Sequence, residues 1–486
     1  MSKGEDEWII KSLSKWKRFL MNIEGDVIMD QISNPADSSV SNSQVSSQNS
    51  MAETEVKIKT KAIPGVTILV VFMCWFAMFA DGYDLAIYGA ILPALLQDPE
   101  WSLSPAMAGS IGSYALMGML IGAVFTGTLT DIFGRKKVMA FCITFFSITM
   151  AVAAMAPSPT VFAIVRFLGG LALGGVIPTA SALTIEYSPI KRRSLMYGIM
   201  YTGYSLGGVF SASTSMFLLE EYGWRIMFWI GALPILAVPF ILKFLPESLE
   251  FLVTKNRHKE AGIIAKRYNI SLDSIMINQK NKEQVEKSKT SMVASLFSKQ
   301  NVRATVLFWI TFFMGLFTIY GLTTWLPQMM RSAGYPLGSS LGFLLVLNLS
   351  AAVGGIVAGT AADRWGSKRV ISISYLLAGL SIALLSVKSS MFIVYSLVGV
   401  AGFGTIGTTL ILNAYISKYF SAENRATALG WALGFGRIGA ILGPILAGLF
   451  ITWNFDSSTT FYVFASAAIV AAVSVLFIPK GSQGKI

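Results

Sequence analysis

The chain is poor in the residues that carry most enzyme chemistry. It has one histidine and two cysteines in 486 residues, and only 13% of its residues are charged. A soluble domain carries about 25%. His258 stands between Arg257 and Lys259 and reads as a solvated surface residue. Cys74 and Cys142 lie in apolar runs, where cysteine behaves as a small hydrophobe. No zinc-ligand spacing, nucleophile elbow or phosphate-binding glycine loop is present. An enzyme reading has no support, and neither metal nor cofactor is expected. In the first 62 residues no apolar core precedes a small-residue cleavage site, so no cleavable signal is expected there.

What the chain has is apolar length. Its residues are 54% hydrophobic. Runs long enough to cross a bilayer fall near 65–90, 106–130, 138–156, 160–184, 195–219, 225–243, 303–328, 338–362, 370–387, 390–415, 426–452 and 459–478. The expected fold class is all-α and integral to the membrane, with twelve transmembrane helices. With both termini cytoplasmic, the outer loops hold only Arg225, Arg331 and Lys388, and Arg166 and Arg437 lie within helices. Every other basic residue falls on the inner side, which sets the orientation. The net charge of +12 is then topology, and no nucleic acid is needed as partner. The expected location is the cell membrane, inner or plasma, with the bilayer itself as a partner and the protein a monomer.

The chain also repeats itself at an offset of 232 residues. Gly122, Gly127, Asp131, Gly134 and Lys136 map onto Gly354, Gly359, Asp363, Gly366 and Lys368, and Arg193, Gly198 and Gly207 onto Arg425, Gly430 and Gly439. The expected organisation is a cytoplasmic tail over 1–62, six helices over 63–243, a cytoplasmic linker over 244–302, six more helices over 303–479 and a tail over 480–486. Halves of one topology related along the membrane normal are typical of a large class of secondary transporters. Within the first tail, residues 5–20 read as a basic amphipathic helix on the inner leaflet or as a plain solvated segment. Residues 33–50, with eight serines, read as a disordered linker.

Charges inside apolar runs are the candidates for chemistry. Asp81 and Asp84 stand in the first apolar segment, where a carboxylate costs about 2.5–3.5 kcal/mol on insertion scales. Their i, i+3 spacing puts both on one helix face, and Tyr88 extends that stripe. Two carboxyls so close do not both ionise easily in a dry site, so one is a candidate proton carrier; a structural cap or ion pair is the alternative. Arg437, near the middle of the eleventh segment, needs an anion. That anion is a bound carboxylate, or an aspartate of the first helix when the site is empty; bonding to backbone carbonyls is the alternative. Tyr201, Tyr204, Tyr320, Trp325, Asn348 and Asn413 are candidates to line a central cavity, stacking on a ring or bonding a hydroxyl, with ordinary packing the competing reading for each.

A second group sits at the inner loops. Gly127 is expected to let two helices approach closely at their cytoplasmic ends. Asp131 is expected near a neighbouring helix end or arginine, while Arg135, Lys136 and Lys137 anchor at the headgroups. The turn around Gly134 and the second-half residues Asp363 and Arg364 form the same pattern. Such a cluster can latch one conformational state; a mere topology determinant is the alternative. Glu186, Arg193 and Arg425 fit either a gate or simple anchoring.

These residues resemble a known family. Gly127-Thr-Leu-Thr-Asp131-Ile-Phe-Gly134-Arg135-Lys136-Lys137 resembles the loop 2–3 signature of the major facilitator superfamily, and Gly359-Thr-Ala-Ala-Asp363-Arg364-Trp-Gly366 resembles its second-half copy. Arg166-Phe-Leu-Gly-Gly170-Leu-Ala-Leu-Gly174-Gly175 looks like its fourth-helix signature. Glu186-Tyr-Ser-Pro189 and Pro246-Glu247-Ser248 match common superfamily patterns. Within it, Asp81-Gly82-Tyr83-Asp84 resembles the D-G-x-D motif of the aromatic acid:proton symporters, and the run Trp431–Pro444 resembles their eleventh helix. The resemblance implies import of a small aromatic carboxylate, benzoate or hydroxybenzoate-like, by proton symport. It implies a proton-coupling role for Asp81, Asp84 and Arg166, although a structural pair between Arg166 and a first-helix aspartate competes with that. Alternatives are a symporter for another organic acid or small solute, a drug exporter, or a sensor built on a transporter fold.

Overall fold

In the computed structural model, residues 65–268, 289–421 and 424–479 are described. The expected amphipathic segment at 5–20, the serine-rich stretch at 33–50 and the tail over 480–486 lie outside them. The described residues belong to one compact unit, Ile63–Ile486.

The first half comprises α1 (Gly65–Leu95), α2 (Pro105–Phe133), α3 (Arg135–Ala154), α4 (Pro159–Leu173), α5 (Val176–Glu186), α6 (Arg193–Tyr222), α7 (Arg225–Ala232) and α8 (Val238–Phe244). Two short linker helices follow, α9 (Leu249–Thr254) and α10 (His258–Tyr268). After residue 288 come α11 (Lys289–Leu296), α12 (Val302–Ser332), α13 (Leu337–Trp365), α14 (Ser367–Leu384), α15 (Met391–Tyr419), α16 (Arg425–Thr452) and α17 (Ser457–Leu476). Two of the expected continuous helices are broken. The fourth is split into α4 and α5 at Gly174–Gly175, and the sixth into α7 and α8 by a 3-10 turn, Leu233–Ala237, that contains Pro234. The first break sits where Gly174 packs on Met119 and Ala123 of α2, and Gly175 on Thr126 and Cys142. In the second half Ile406-Gly407 takes this place and α15 runs unbroken.

Eleven rods have the length and composition to cross a membrane. The twelfth of the fold is α6, 30 residues long. Serine, threonine, tyrosine and glycine dilute its hydropathy because it faces other helices rather than lipid along much of its length. The repeat is visible in the elements: an offset of 232 carries α2 onto α13 and the start of α4 at Pro159 onto the start of α15 at Met391. Packing repeats as well. In the first half α1 lies on α6, α2 on α4 and α3 on α7; in the second α12 lies on α16, α13 on α15 and α14 on α17. The halves meet through α2 with α16, α6 with α13, and α1 with α12.

Glycines set the tightest of these contacts. A Cβ on Gly118 or Gly122 would run into the α4 carbonyls of Phe167 and Leu171. Gly127, in contrast, has nothing within 4 Å of such an atom, and neither has its repeat partner Gly359. The expected close approach at Gly127 is therefore absent; it lies five and nine residues earlier on α2, at Gly122 and Gly118. Gly122→Ala should lower stability by about 1–3 kcal/mol, the usual cost of overpacking, whereas Gly127→Ala should leave it unchanged. Thermal unfolding of the two purified variants in detergent checks this, and equal melting temperatures would contradict the packing.

Candidate functional site

The two aspartates of α1 face different surroundings. Asp84 forms an ion pair with Nη1 of Arg166 on α4, and both side chains are buried. Rings enclose this pair. The Arg166 guanidinium lies 5.7 Å from the Tyr88 ring centre and 5.9 Å from that of Phe228. Phe162 stacks beside Tyr88 and meets Trp101, Trp224 and Phe228 edge-on. Arg225 caps the group 4.4 Å above Trp224, whose indole N–H donates to Asp98 at 3.0 Å. The Tyr88 hydroxyl donates to the Ala108 carbonyl. Tyr88 thus belongs to this wall and not to an open cavity.

Asp81 is fully buried, and neither carboxyl oxygen has a hydrogen-bond partner among the described residues. Its charged neighbours are Arg437 and Asp84. Arg437 in turn has Tyr320, Asp81, Tyr201 and Tyr204 around it. The expected ion pair between Arg437 and a first-helix aspartate does not form. The polar contact found for the guanidinium is with Sδ of Met119, 3.9 Å from Nη1. Tyr204 and Tyr320 meet across the two halves, hydroxyl to hydroxyl at 3.5 Å. On α6, Tyr197, Tyr201 and Tyr204 form a stacked column with 6.1 Å between successive ring centres. Tyr201, Tyr204, Tyr320 and Arg437 are all half-buried.

One face of α16 shows where this group opens. Beyond Arg437 the face is closed by α2: the Ile441 carbonyl accepts from Ser113 at 2.6 Å, Pro444 abuts Gly109, and Gly448 abuts Pro105. The same seam carries the Ala106 N–H to Thr452, 2.9 Å, and Arg331 to Gln97, 3.0 Å. Before Arg437 the face passes through Gly434 and Gly430, where an added Cβ would meet nothing within 4 Å. Arg437 therefore stands at the boundary between a sealed end and an open one. The open end is the one that carries the basic loops of Arg135–Lys137 and Arg192–Arg193. Gly127, also exposed, has nothing within 4 Å of an added Cβ.

The remaining cavity candidates divide. Trp325 is fully buried and donates its indole N–H to the Pro444 carbonyl at 2.9 Å, so it belongs to the sealed seam. Asn348 is buried against Gly208 and bonds the Leu344 carbonyl at 2.9 Å. Both expected lining roles give way to packing. Asn413 is half-buried, and its Oδ1 has no partner among the described residues.

At the basic end the cluster differs from expectation. Asp131 is exposed and makes no ion pair among the described residues. Arg135 instead donates to Glu186 at 2.9 Å and to Glu250 at 2.8 Å. The Lys136 N–H donates to Glu247 at 3.0 Å, and the Tyr187 hydroxyl to the Glu247 carbonyl. Gly134, at φ 91°, makes the turn in a conformation that favours glycine, and a Cβ there would strike the Glu247 carboxylate. The linker helix α9 is thereby stapled to the first half. Glu250 was not legible in the sequence as part of this cluster, because its partners lie 64 and 115 residues away. In the second half Asp363 pairs with Lys418 at 3.4 Å on the surface, and Arg364 and Arg425 are exposed, as is Arg193 in the first half. No cluster of three or more metal-ligating side chains occurs among the described residues.

Two like halves, apolar outside and polar along their seam, with that seam sealed at one end and open at the other, define a multi-pass membrane transporter. The chain belongs to the Major Facilitator Superfamily, whose sequence profile matches residues 74–359 and 339–485. It is similar to the benzoate transport protein of Acinetobacter baylyi, 38% identical over 84% of this chain and 89% of that protein. It is also similar to the gentisate transporter of Corynebacterium glutamicum, 34% identical over 90% and 93%, and to the 4-hydroxybenzoate transporter of Pseudomonas putida, 34% over 84% and 91%. Among solved structures, the inward-open xylose transporter XylE from E. coli superposes with a TM-score of 0.65 at 17% identity, over 86% of this chain and 98% of that one. That likeness concerns the fold. The family is one of transporters and not of enzymes.

Proposed function

We propose that this protein imports a small aromatic carboxylate, of the benzoate or hydroxybenzoate kind, together with protons by alternating access at the cell membrane. The observation that carries this reading is the half-buried Arg437 without a carboxylate partner among the described residues, ringed by Tyr201, Tyr204 and Tyr320 at the edge of an open path. The guanidinium fork matches a carboxylate in geometry and charge. The tyrosine rings supply faces for an aromatic ring and hydroxyls for its substituents. Transport of aromatic acids by the relatives supports the substrate class. In this reading the basic end faces the cytoplasm, and the structure is open inward.

Electrostatics favours a proton partner. An inside-negative potential opposes entry of an anion by about 2.3 kcal/mol per 100 mV. One co-transported proton cancels that term, and the carboxyls of α1 are the groups in reach. Arg135, Glu186 and Glu250 hold the linker helix to the moving first half, while Asp131, Gly127, Arg193, Arg425, Asp363 and Arg364 line the end that must close when access alternates. Cells expressing the protein should accumulate labelled benzoate, gentisate or 4-hydroxybenzoate, and a protonophore should abolish the accumulation. Uptake of none of these acids would remove the substrate class; accumulation indifferent to the protonophore would remove the coupling.

A further inference from the structure

We propose that Met119 is a positioning residue for the substrate anion. Its thioether, reaching from α2 of the first half, holds the Arg437 guanidinium of α16 in place and leaves its charge free for the substrate carboxylate. The inference rests on the reading of Arg437 as the anion site and deepens it by naming the group that orders that side chain.

The first observation is the register of the seam. α2 and α16 run antiparallel, and their contacts follow in order from the sealed end: Pro105 with Gly448, Gly109 with Pro444, Ser113 with Ile441, then Met119 with Arg437, Sδ to Nη1 at 3.9 Å. Beyond this rung α16 presents Gly434 and Gly430, where an added Cβ would meet nothing within 4 Å. Met119 is fully buried. Its backbone has little room to move. It stands between Gly118 and Gly122, where a Cβ would strike the Phe167 and Leu171 carbonyls of α4, and a Cβ on Gly174 would strike the Met119 carbonyl itself. The thioether therefore reaches the arginine from a fixed base.

The second observation is the internal repeat. The 232-residue offset relates the seam of α2 with α16 to the seam of α13 with α6, where Asn348 packs on Gly208. In that second seam Met119 has Ala351 as its counterpart, and Arg437 has Ser205. Two small residues thus occupy in one seam the places that a long thioether and a guanidinium occupy in the other. Arginine and methionine depart from the repeat together, at one rung and from opposite halves. A residue that merely filled the seam would have no reason to appear where the arginine does.

The chemistry of the pair suits an anion site. A free arginine samples many rotamers, and it loses that freedom when its fork fixes a carboxylate. A partner that orders the fork beforehand removes this cost from binding. An acid at position 119 would order it too, but as a buried ion pair that the substrate carboxylate would have to displace. A thioether sulfur is a weak acceptor without charge, and the flexible methionine stem can follow the fork as a substrate seats. Tyr320, Asp81, Tyr201 and Tyr204 also surround Arg437. The hydrogen-bond contact of its guanidinium, among the described residues, is the one to Met119.

The test is calorimetric titration of the full-length protein in detergent with benzoate and 4-hydroxybenzoate. Met119→Leu keeps the volume and removes the acceptor, so it should fold as the wild type does. It should weaken binding by about three- to tenfold, the value of one modest hydrogen bond. Met119→Gln puts a neutral amide oxygen at similar reach and should rescue binding to within about threefold of the wild type. Met119→Glu, of the same shape but charged, should occupy the guanidinium and weaken binding by about a hundredfold or more. A packing role predicts the opposite order for the first two, with leucine harmless and glutamine damaging. Wild-type affinity in Met119→Leu overturns the proposal, whether or not the other variants fold. So does a folded Met119→Gln that binds more weakly than Met119→Leu, or a Met119→Glu that binds as the wild type does. If the wild type binds neither acid, or Arg437→Ala binds them as tightly as the wild type, the reading of Arg437 as the anion site itself fails, a result separate from these.

Discussion

Arg166→Gln, made alone, is expected to lower the stability of the protein by about 3–5 kcal/mol, because it leaves a buried carboxylate without its counter-charge. Asp84→Asn alone should cost a similar amount by stranding the guanidinium. The two changes together should recover most of the loss, since a neutral pair of like volume in a dry site is often as stable as the ion pair it replaces. The reason is the enclosure. The pair lies behind Tyr88, Phe162 and Phe228, so solvent does not reach the stranded charge. Melting temperatures from fluorescence-detected size exclusion read the effect directly. Additive losses in the double variant would show that the two side chains do not act as a pair.

Arg437→Ala is expected to weaken binding of the aromatic acid by about 2–5 kcal/mol, or roughly 30-fold to several thousand-fold, the range for truncating one side of a desolvated charge pair. Arg437→Lys should lose less, because it keeps the charge but not the planar fork. Neither change should cost the stability that the Arg166 variant loses. The Arg437 guanidinium is half-buried and has no ion pair among the described residues, its polar contact being Met119 at 3.9 Å, so its removal strands no bonded carboxylate. Calorimetric titration of each variant with benzoate and 4-hydroxybenzoate decides the matter. Unchanged affinity in Arg437→Ala would falsify its role as the anion site.

The loop cluster at the basic end is a case where residue types were legible and their partners were not. A glycine turn followed by Arg-Lys-Lys is a local pattern, and the turn forms as expected at Gly134. Asp131, the acid nearest in sequence, is left exposed, and Arg135 reaches Glu186 and Glu250 instead. Sequence proximity favoured Asp131, but an α-helix carries a side chain at 131 away from the side on which α5 and α9 approach. Trp325 is similar. A tryptophan amid a polar-dotted helix looked fit to stack on a ring, but its N–H needs a partner when buried, and the Pro444 carbonyl supplies it.

By itself the sequence determined what depends on period, length and composition. Apolar run length set the number of helices, and the 232-residue offset set the two equivalent halves, because each half buries the same pattern of small and large residues. The charges that break this repeat also stand out in one dimension: Asp81 and Asp84 have Phe313 and Leu316 in the corresponding places, Arg166 has Val398, and Arg437 has Ser205. What only the tertiary structure decided is which of those four charges pair, Asp84 with Arg166, and which do not, Asp81 and Arg437. Spacing of i, i+3 puts both aspartates on one broad helix face, yet it leaves them about 60° apart around the axis. That angle directs Asp84 toward α4 inside its own half and Asp81 toward the seam with α16. Which neighbour lies at each bearing is fixed by the packing of α1 among α4, α6, α12 and α16, and that packing depends on contacts between residues hundreds of positions apart.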